Sequence, residues 1–256
     1  MNDLFSLGGK VAAVIGGGGV LAGEMARGLA RAGADVAILD FNFEAAQAGA
    51  DAISALGRRS LAVKVDAASK ADLKAALEAM LAEFGHVDIL VNAAGINSAT
   101  PFFEITEEEW QRILDVDLKS VFLASQVFGQ WMVESGNGGS VINISSASSG
   151  PPLSKVFTYS VAKGGVNQIT QFLAREWATR GVRVNAILPG FFPAEQNRKL
   201  LTEDRVAKIM GHTPMNRFGE ASELVGATVF LASDKASSFV TGAILRVDGG
   251  YGAMTI

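Results

Sequence analysis

Within one predicted helix, a tyrosine and a lysine are spaced so that the tyrosine can exchange a proton with a substrate. Tyr159 opens the segment YSVAK and Lys163 follows four residues later, so both side chains lie on one helical face about a turn apart. An ammonium that close favours the phenolate over the phenol. Such a tyrosine suits a general acid or base that moves an alcohol proton while a hydride leaves the carbon. A pair of side chains on an exposed helix surface is the alternative.

A cluster of serines precedes this helix. The apolar segment SVINIS leads into ISSASSG, which places Ser146 at the carboxyl end of a predicted strand. Doubly wound sheets bind their ligands at that edge. From there, Ser146 can donate a hydrogen bond to a carbonyl or alkoxide oxygen and hold it against Tyr159. The alternative is that these serines only form a turn before Pro151 and Pro152.

A glycine-rich stretch near the start indicates a phosphate-binding loop. The segment VAAVI runs directly into GGGGVLAGEMARGLARAGA. A loop that opens a helix presents free N–H groups and the positive end of the helix dipole to a pyrophosphate. The strict Gly-x-Gly-x-x-Gly pattern is not met, because Gly16 and Gly18 fit it but Leu21 stands at the third position. A flexible turn, with Gly23 allowing close packing, is the alternative.

An acidic residue at the end of the second predicted strand indicates the type of dinucleotide. Asp40 ends the segment VAILD, and its carboxylate would accept hydrogen bonds from the ribose hydroxyls of NAD but repel the 2′-phosphate of NADP. No Arg or Lys occurs in DFNFEAA, so NAD is predicted over NADP, with capping of the next helix as the alternative role for Asp40. Asp66, which ends LAVKVD, either accepts from the adenine amino group or caps the helix after Ala68.

Apolar runs alternate with Ala- and Leu-rich stretches along the chain. The runs predict strands at 11–15, 36–39, 61–65, 89–91, 140–144, 182–188 and 244–247, and the stretches between them include helices at 21–31, 44–56, 71–84, 107–132 and 157–179. Continuous apolar runs are typical of parallel strands covered on both faces. The sequence therefore predicts an α/β fold, a doubly wound parallel sheet of Rossmann type, in a single domain spanning 1–256. The segment 190–219 interrupts the alternation and is predicted to face the substrate.

The composition excludes several other classes of protein. The 256 residues are 49% hydrophobic with a net charge of −4, so a large core forms and no basic field attracts nucleic acid. The chain has no cysteine, and His86 and His212 match no metal-ligand spacing, so neither thiol chemistry nor a metal is predicted. No run of about 18 apolar residues occurs and the start does not resemble a secretion signal. We expect a cytoplasmic protein with neither a membrane nor a nucleic acid as partner.

Together these motifs resemble the short-chain dehydrogenase/reductase family over essentially the whole chain. The resemblance is carried by the loop at Gly16, Asp40, Asp66, NAAG at 92–95, the serine of NISS, YSVAK, RVNAILPG at 183–190 and VDGGY. It implies that Tyr159 is the catalytic acid/base, that Lys163 binds the nicotinamide ribose and tunes Tyr159, and that Ser146 is the family's serine. It also implies a homotetramer in which the helices predicted at 107–132 and 157–179 pack across a two-fold axis.

The implied cofactor site follows the carboxyl edge of the sheet. Its predicted residues are Gly16, Gly18, Gly19, Val20, Leu21, Asp40, Phe41, Asp66, Ala67, Asn92, Ala93, Ala94, Gly95, Tyr159, Lys163, Pro189, Gly190 and Phe192.

The sequence departs from the pattern of the family in three respects: the glycine loop, the segment after PG and the position of Asp117. Val20 and Ala22 stand where the family has its last two glycines, which would alter the approach of the phosphates, and Ala194 stands where a cofactor-contacting Thr is frequent. Asp117 replaces an Asn that holds a water in the proton relay. We therefore include Asp117 among the catalytic residues, either as the acceptor that holds the water or as a direct partner of Lys163 that weakens its pull on Tyr159.

Four segments resemble the D-mannonate oxidoreductase or fructuronate reductase branch of the family: GGGGVLAGEMA, PLSKVFTYSVAK, PGFFPAEQNRKLL and HTPMNRFGE. This implies an NAD-dependent oxidoreductase that interconverts a hydroxyl and a carbonyl on a sugar acid or another anionic sugar. A buried anion needs a cation and several polar partners. The predicted substrate-binding residues are Asn97, Ser146, Ser148, Lys155, Tyr159, Gln196 and Arg198. The alternatives are a hexose 1-dehydrogenase acting on a neutral, carboxylated or sulfonated hexose, a 3-oxoacyl reductase and a non-catalytic NAD-binding regulator.

Overall fold

One parallel sheet organises the molecule. The structure, a computed structural model, describes residues 4–151, 153–193 and 202–254. In this part of the chain the strands are β1 (Val11–Ile15), β2 (Asp35–Asp40), β3 (Ser60–Lys64), β4 (Ile89–Asn92), β5 (Gly139–Ile144), β6 (Val182–Pro189) and β7 (Ile244–Val247). They are ordered β3-β2-β1-β4-β5-β6-β7, and every neighbouring pair is parallel. This confirms the predicted α/β fold.

Helices connect the strands, as parallel pairing requires. They are α1 (Val20–Arg31), α2 (Phe43–Ser54), α3 (Lys70–Phe84), α4 (Glu107–Leu114), α5 (Ser120–Ala124), α6 (Gln130–Glu134), α7 (Phe157–Trp177), α8 (Glu203–Gly211), α9 (Val225–Ala232) and α10 (Asp234–Ser237). The stretch from α4 to α6 is one helical rod with two π-helical turns, at Asp115–Lys119 and Ser125–Gly129. Wider turns of this kind are frequent at functional sites.

Each face of the sheet carries its own hydrophobic core. Successive residues of a strand point to opposite faces, so Ala12 and Val14 pack with α1 residues such as Leu29, whereas Ala13 and Ile15 pack on the side of Phe128. All of these side chains are buried. Both faces are therefore covered, which explains why the strands read as unbroken apolar runs.

The order of the strands creates a crevice at one edge. The chain builds β1, β2 and β3 in one direction and then returns to the other side of β1 with β4, so the connections after β1 and β4 diverge. Ligands bind at such switch points, outside the carboxyl ends of the strands. The glycine loop follows β1 here and the NAAG segment follows β4, and Ala93 N–H donates to the carbonyl oxygen of Ile15 at 3.0 Å.

Two further features bear on function. No helix within 4–151, 153–193 or 202–254 combines the length and the apolar character that crossing a bilayer requires. The same residues contain no group of three or more His, Cys, Asp or Glu side chains placed to hold a metal ion.

Candidate active site

The glycine loop is held tightly against the NAAG segment. Gly16 has a φ of +76°, and a Cβ atom there would lie 2.7 Å from the backbone nitrogen of Ala94. Any other residue would strain the backbone and push this segment away. The loop therefore needs glycine at this position, and the N–H groups of Gly16, Gly17, Gly18 and Gly19 are all donated within the protein.

The helix that follows the loop begins without a capping side chain. Gly19 is the N-cap of α1 and the first turn has no acidic residue, whereas Asn42 caps α2 and Ser69 caps α3. The first N–H groups of α1 thus have no side-chain partner and suit a phosphate. Val20 is exposed at the first turn and Ala22 is buried in the core, so these two departures leave the N-terminus of α1 open.

Asp40 lies at the carboxyl end of β2, directly beside the glycine loop. One carboxylate oxygen accepts from Gly18 N–H at 3.0 Å and the other from Asn42 N–H at 3.0 Å. Each oxygen keeps a second lone pair, so the carboxylate can also accept from ribose hydroxyls. The helix cap is Asn42 instead, which removes the alternative role of Asp40.

The surroundings of Asp40 include a cation that the local sequence does not reveal. Lys64 on β3 is the register partner of Asp40 on β2. Its Nζ lies 5.9 Å from the centroid of the exposed Phe41 ring. The absence of Arg and Lys from DFNFEAA therefore did not predict the charges around Asp40, because Lys64 on the neighbouring strand adds a positive charge.

Asp66 and Ala67 follow β3 at the same edge. One Asp66 oxygen accepts from Ala68 N–H at 2.9 Å, while Ser69 is the N-cap of α3. Asp66 thus shapes the turn before the helix without capping it. Its side chain is exposed and available to an adenine ring.

The NAAG segment contributes backbone to the crevice, but its asparagine side chain points into the protein. Asn92 donates to Asn143 at 2.8 Å, and Asn143 donates to Thr170 at 2.9 Å. This buried chain of amides ties β4 and β5 to α7. Asn92 therefore supports the floor of the crevice, and Ala93, Ala94 and Gly95 continue along its edge.

The serine cluster is both a turn and a polar wall of the cleft. Ser146 caps a short 3₁₀ turn, Ala147–Ser149. Its Oγ accepts two hydrogen bonds from Ser148, one from the N–H at 3.2 Å and one from the hydroxyl at 3.1 Å. Because both contacts are accepted, the Ser146 proton remains free to donate into the cleft.

Tyr159 and Lys163 lie on one face of α7, as their spacing predicts. Tyr159 lines the cleft, and Lys163 Nζ lies 5.5 Å from the centroid of its ring. Lys163 is buried, with its side chain 4% exposed, and donates to the Ile144 carbonyl at 3.1 Å. The ammonium is thus fixed behind the tyrosine.

Asp117 sits in the first π-helical turn and faces Lys163. Its Oδ1 lies 3.4 Å from Lys163 Nζ, and its Oδ2 accepts from Ile96 N–H at 2.9 Å. Burial raises the pKa of Asp117, while the Lys163 ammonium opposes that rise. Of the two predicted arrangements, the structure has the direct pair.

A cleft of about 350 Å³ opens beside these groups. Sequence-predicted residues that line it are Leu21, Asn97, Ser146, Ser148, Lys155, Tyr159, Pro189, Gly190 and Phe192. Arg205, from α8, also lines it and was missed. The one sequence feature that could have indicated Arg205 was its place in the segment 190–219, which was expected to face the substrate. Gln196, Arg198 and Ala194 lie outside the described residues.

The comparisons with known proteins agree with this geometry. Residues 19–252 match a family model whose description reads Enoyl-(Acyl carrier protein) reductase, one of the models of short-chain oxidoreductases. The chain belongs to the short-chain dehydrogenase/reductase family, which confirms the resemblance.

Similar relatives include enzymes named for sugar acids. The chain is 40% identical to the 2-dehydro-3-deoxy-D-gluconate 5-dehydrogenase of Escherichia coli (strain K12), over 96% of this chain and 97% of that protein. A gluconate 5-dehydrogenase from Burkholderia cenocepacia J2315, solved with NADP and tartrate, has a TM-score of 0.94 at 35% identity and 99% coverage of both chains. A protein from Haemophilus influenza, provisionally assigned as a D-mannonate oxidoreductase and solved with NAD, has a TM-score of 0.92 at 36% identity, covering 98% of this chain and 97% of that one.

Proposed function

We propose that this protein is an NAD-dependent dehydrogenase that interconverts a hydroxyl and a carbonyl on a sugar acid. The observation that carries the proposal is the content of the cleft: Tyr159 and Ser146 line it together with two cationic side chains, Lys155 and Arg205. Buried anions require such partners. A ligand with a carboxylate at one point and a reactive hydroxyl at another matches this arrangement, and the names of the relatives above support it.

The proposed chemistry assigns one task to each residue. In the oxidation direction Ser146 donates to the substrate oxygen, and Tyr159 takes the hydroxyl proton. Lys163 favours the phenolate electrostatically and lies where it can bind ribose hydroxyls. A nicotinamide bound in the crevice would supply the hydride acceptor. In the reverse direction Tyr159 returns the proton to the carbonyl oxygen.

The proposed cofactor is NAD. Support comes from Asp40, whose carboxylate lies beside the loop and keeps lone pairs that ribose hydroxyls could use. A 2′-phosphate there would meet like charge. Lys64 is the opposing feature, because it is the register partner of Asp40 on the neighbouring strand and adds a positive charge at this edge of the sheet. The relatives include both an NAD and an NADP complex, so the two cofactors have to be compared directly.

Lys155 adds a geometric argument for substrate binding. It is one of two non-glycine residues with positive φ in the described chain, at +68°. A residue held there costs about 1–3 kcal/mol, and such strain concentrates at ligand-binding sites. The strain is consistent with a backbone bent to place this ammonium at the cleft. Asn97 and Ser148 supply polar partners for sugar hydroxyls, and Gln196 and Arg198 stay predicted contacts.

The test is a substrate panel with matched cation variants. Wild-type protein is assayed for reduced nicotinamide with D-gluconate, D-mannonate, D-glucose and D-mannose, using NAD and NADP. Lys155→Met and Arg205→Met should each raise KM for hexonates about tenfold or more, as expected for loss of a charge-assisted contact. Lys208→Met is the control, because Lys208 shares α8 with Arg205 but is exposed and paired with Asp204. Equal turnover of hexonates and neutral hexoses would contradict the proposal.

A second candidate is a reductase of acyl thioesters. The description of the matching family model favours it, and Leu153, Val156 and Phe191 give the cleft an apolar wall. A 3-oxoacyl thioester with NADPH and NADH belongs in the same panel. Turnover confined to that substrate would replace the sugar-acid assignment, and cofactor binding without turnover of any compound would indicate a regulator.

The proposal extends to a cytoplasmic homotetramer. The exposed Phe122 and Phe172 on α5 and α7 support an assembly through these helices, because large apolar side chains in water mark interaction surfaces. Light scattering of the purified protein gives its mass directly. A monomeric mass would contradict the assembly, and cell fractionation tests the location.

A further inference from the structure

We propose that Asp117 is a positioning residue whose carboxylate offsets the Lys163 ammonium and thereby weakens the pull of that ammonium on Tyr159. This inference rests on the acid–base role proposed above for Tyr159. Asp117 is a position at which the chain departs from its own family. With this carboxylate in place, the pH profile of alcohol oxidation should lie at higher pH than in an enzyme with an amide there.

The pair is enclosed by protein. The Asp117 side chain is 0% exposed and that of Lys163 is 4% exposed, with Oδ1 and Nζ 3.4 Å apart. Oδ2 accepts from Ile96 N–H, whereas the buried Oδ1 has no hydrogen-bond partner in the described part of the chain and faces the ammonium. Charges screened so little by water interact strongly at this distance. Lys163 is the group that Asp117 faces, and the carboxylate therefore acts on the ammonium.

The protonation state of the pair follows from its donors. Burial raises the pKa of Asp117, which favours the neutral acid, but the Lys163 ammonium and the Ile96 N–H both stabilise the carboxylate. Lys163 in turn donates to the Ile144 carbonyl and faces Asp117 as an ion-pair partner. Removing either charge alone would leave the other buried and uncompensated. The pair is thus an ammonium next to a carboxylate, with no net charge.

An electrically neutral pair acts on Tyr159 more weakly than a lone ammonium does. A single positive charge near the ring favours phenolate, and a negative charge 3.4 Å from that ammonium offsets part of its field. The phenol form is the one that donates a proton to a carbonyl oxygen. The pair therefore prepares the enzyme for carbonyl reduction at neutral pH and delays alcohol oxidation to higher pH.

The other charged groups near this pair keep their charges when Asp117 is replaced. Asp115 and Lys119 belong to the same π-helical turn but pair with each other at the surface, 3.3 Å apart. Lys155 and Arg205 line the same cleft as Tyr159, and their charges are the same with or without Asp117. A change confined to Asp117 therefore isolates its effect.

The test measures the ionisation of Tyr159 without substrate. The chain has two tyrosines, so Tyr251→Phe leaves Tyr159 as the only one, and ¹³C-labelled tyrosine then gives one ring signal in NMR. Asp117→Asn in this background should lower the midpoint of the pH titration by about one unit, because the ammonium is no longer offset. Asp115→Asn, which removes a half-buried carboxylate two residues away that is paired with Lys119, should leave the midpoint unchanged.

Two results would overturn the inference: an unchanged midpoint in Asp117→Asn, or a higher one. Asp117→Ser is the second variant if the asparagine protein does not fold. The pH profile of kcat/KM for the oxidation direction should move by the same amount as the NMR midpoint. Absence of turnover on every substrate would refute the proposed function, while the NMR titration would still decide the role of Asp117.

Discussion

Replacing Gly16 by alanine tests whether the loop after β1 is the cofactor site. Gly16 combines two demands: a φ of +76° and a virtual Cβ 2.7 Å from the Ala94 nitrogen. Gly57 has nearly the same φ, +77°, with nothing within 4 Å of its virtual Cβ. Gly57→Ala therefore carries the backbone cost alone, and the difference between the two variants isolates the contact with the NAAG segment.

The expected magnitudes follow from these two terms. A left-handed alanine costs about 1–2 kcal/mol. Crowding against backbone, which moves less easily than a side chain, costs about 1–3 kcal/mol more. For a chain of this size each kcal/mol lowers Tm by about 2–4 °C. We expect Gly57→Ala to lose a few degrees and Gly16→Ala about 10 °C.

Thermal unfolding and titration of NADH fluorescence measure both consequences. Gly16→Ala should weaken NADH binding by about tenfold or more, equal to about 1.4 kcal/mol, whereas Gly57→Ala should bind normally. Equal Tm losses in the two variants would refute the contact with Ala94. Normal NADH affinity in a folded Gly16→Ala protein would refute the assignment of the loop to the cofactor.

Three further changes probe other contacts. Asp40→Ser should raise the NADP-to-NAD ratio of kcat/KM at least about tenfold by removing the charge that repels a 2′-phosphate, and adding Lys64→Ala should reverse part of this gain; an unchanged ratio would contradict the role of Asp40. Ser148→Ala should lower kcat several-fold at constant NADH affinity, because Ser146 loses the hydroxyl donor that helps to orient it and keeps only the backbone N–H; unchanged kcat would show that Ser146 needs no such support. Burial disfavours the Asp234 carboxylate, but hydrogen bonds from Lys10 and Arg183 outweigh it and lower the pKa of Asp234. Its contribution to stability is therefore present above the unfolded pKa, about 4, and is lost as pH falls through the folded value; Tm measured from pH 7 to 3 should decline less steeply in Lys10→Met, and an identical slope would contradict this.

Local patterns were sufficient to predict most of the fold. The run predicted at 140–144 lies within β5, Gly139–Ile144, because a strand buried on both faces leaves no polar alternation to interpret. The rod predicted at 107–132 ends at Glu134, but its π-helical turns were not predicted, since hydrophobic periodicity is insensitive to one extra residue per turn. The helical spacing of Tyr159 and Lys163 required only one element and was correctly predicted.

Contacts between distant segments could not be predicted in the same way. Lys64 reaches Phe41 from the next strand, and Arg205 reaches the cleft from α8. The pairing of Asp117 with Lys163 joins two helices, and the sequence left it as one of two alternatives. The sequence left two roles open for Asp66, binding of the adenine amino group and capping of the next helix. The cap of that helix is Ser69. Apart from the Ser69 cap, which is a local contact with Asp72 N–H, each deciding interaction depends on tertiary packing.

The central claim is that Tyr159 moves the substrate proton in a site that binds the dinucleotide independently of it. The direct measurement compares wild type with Tyr159→Phe, which keeps the ring and removes the hydroxyl, by NADH affinity and by turnover of a hexonate with NAD. Loss of turnover by about 10²-fold or more with unchanged NADH affinity is the predicted result. Turnover that survives in Tyr159→Phe would contradict the account.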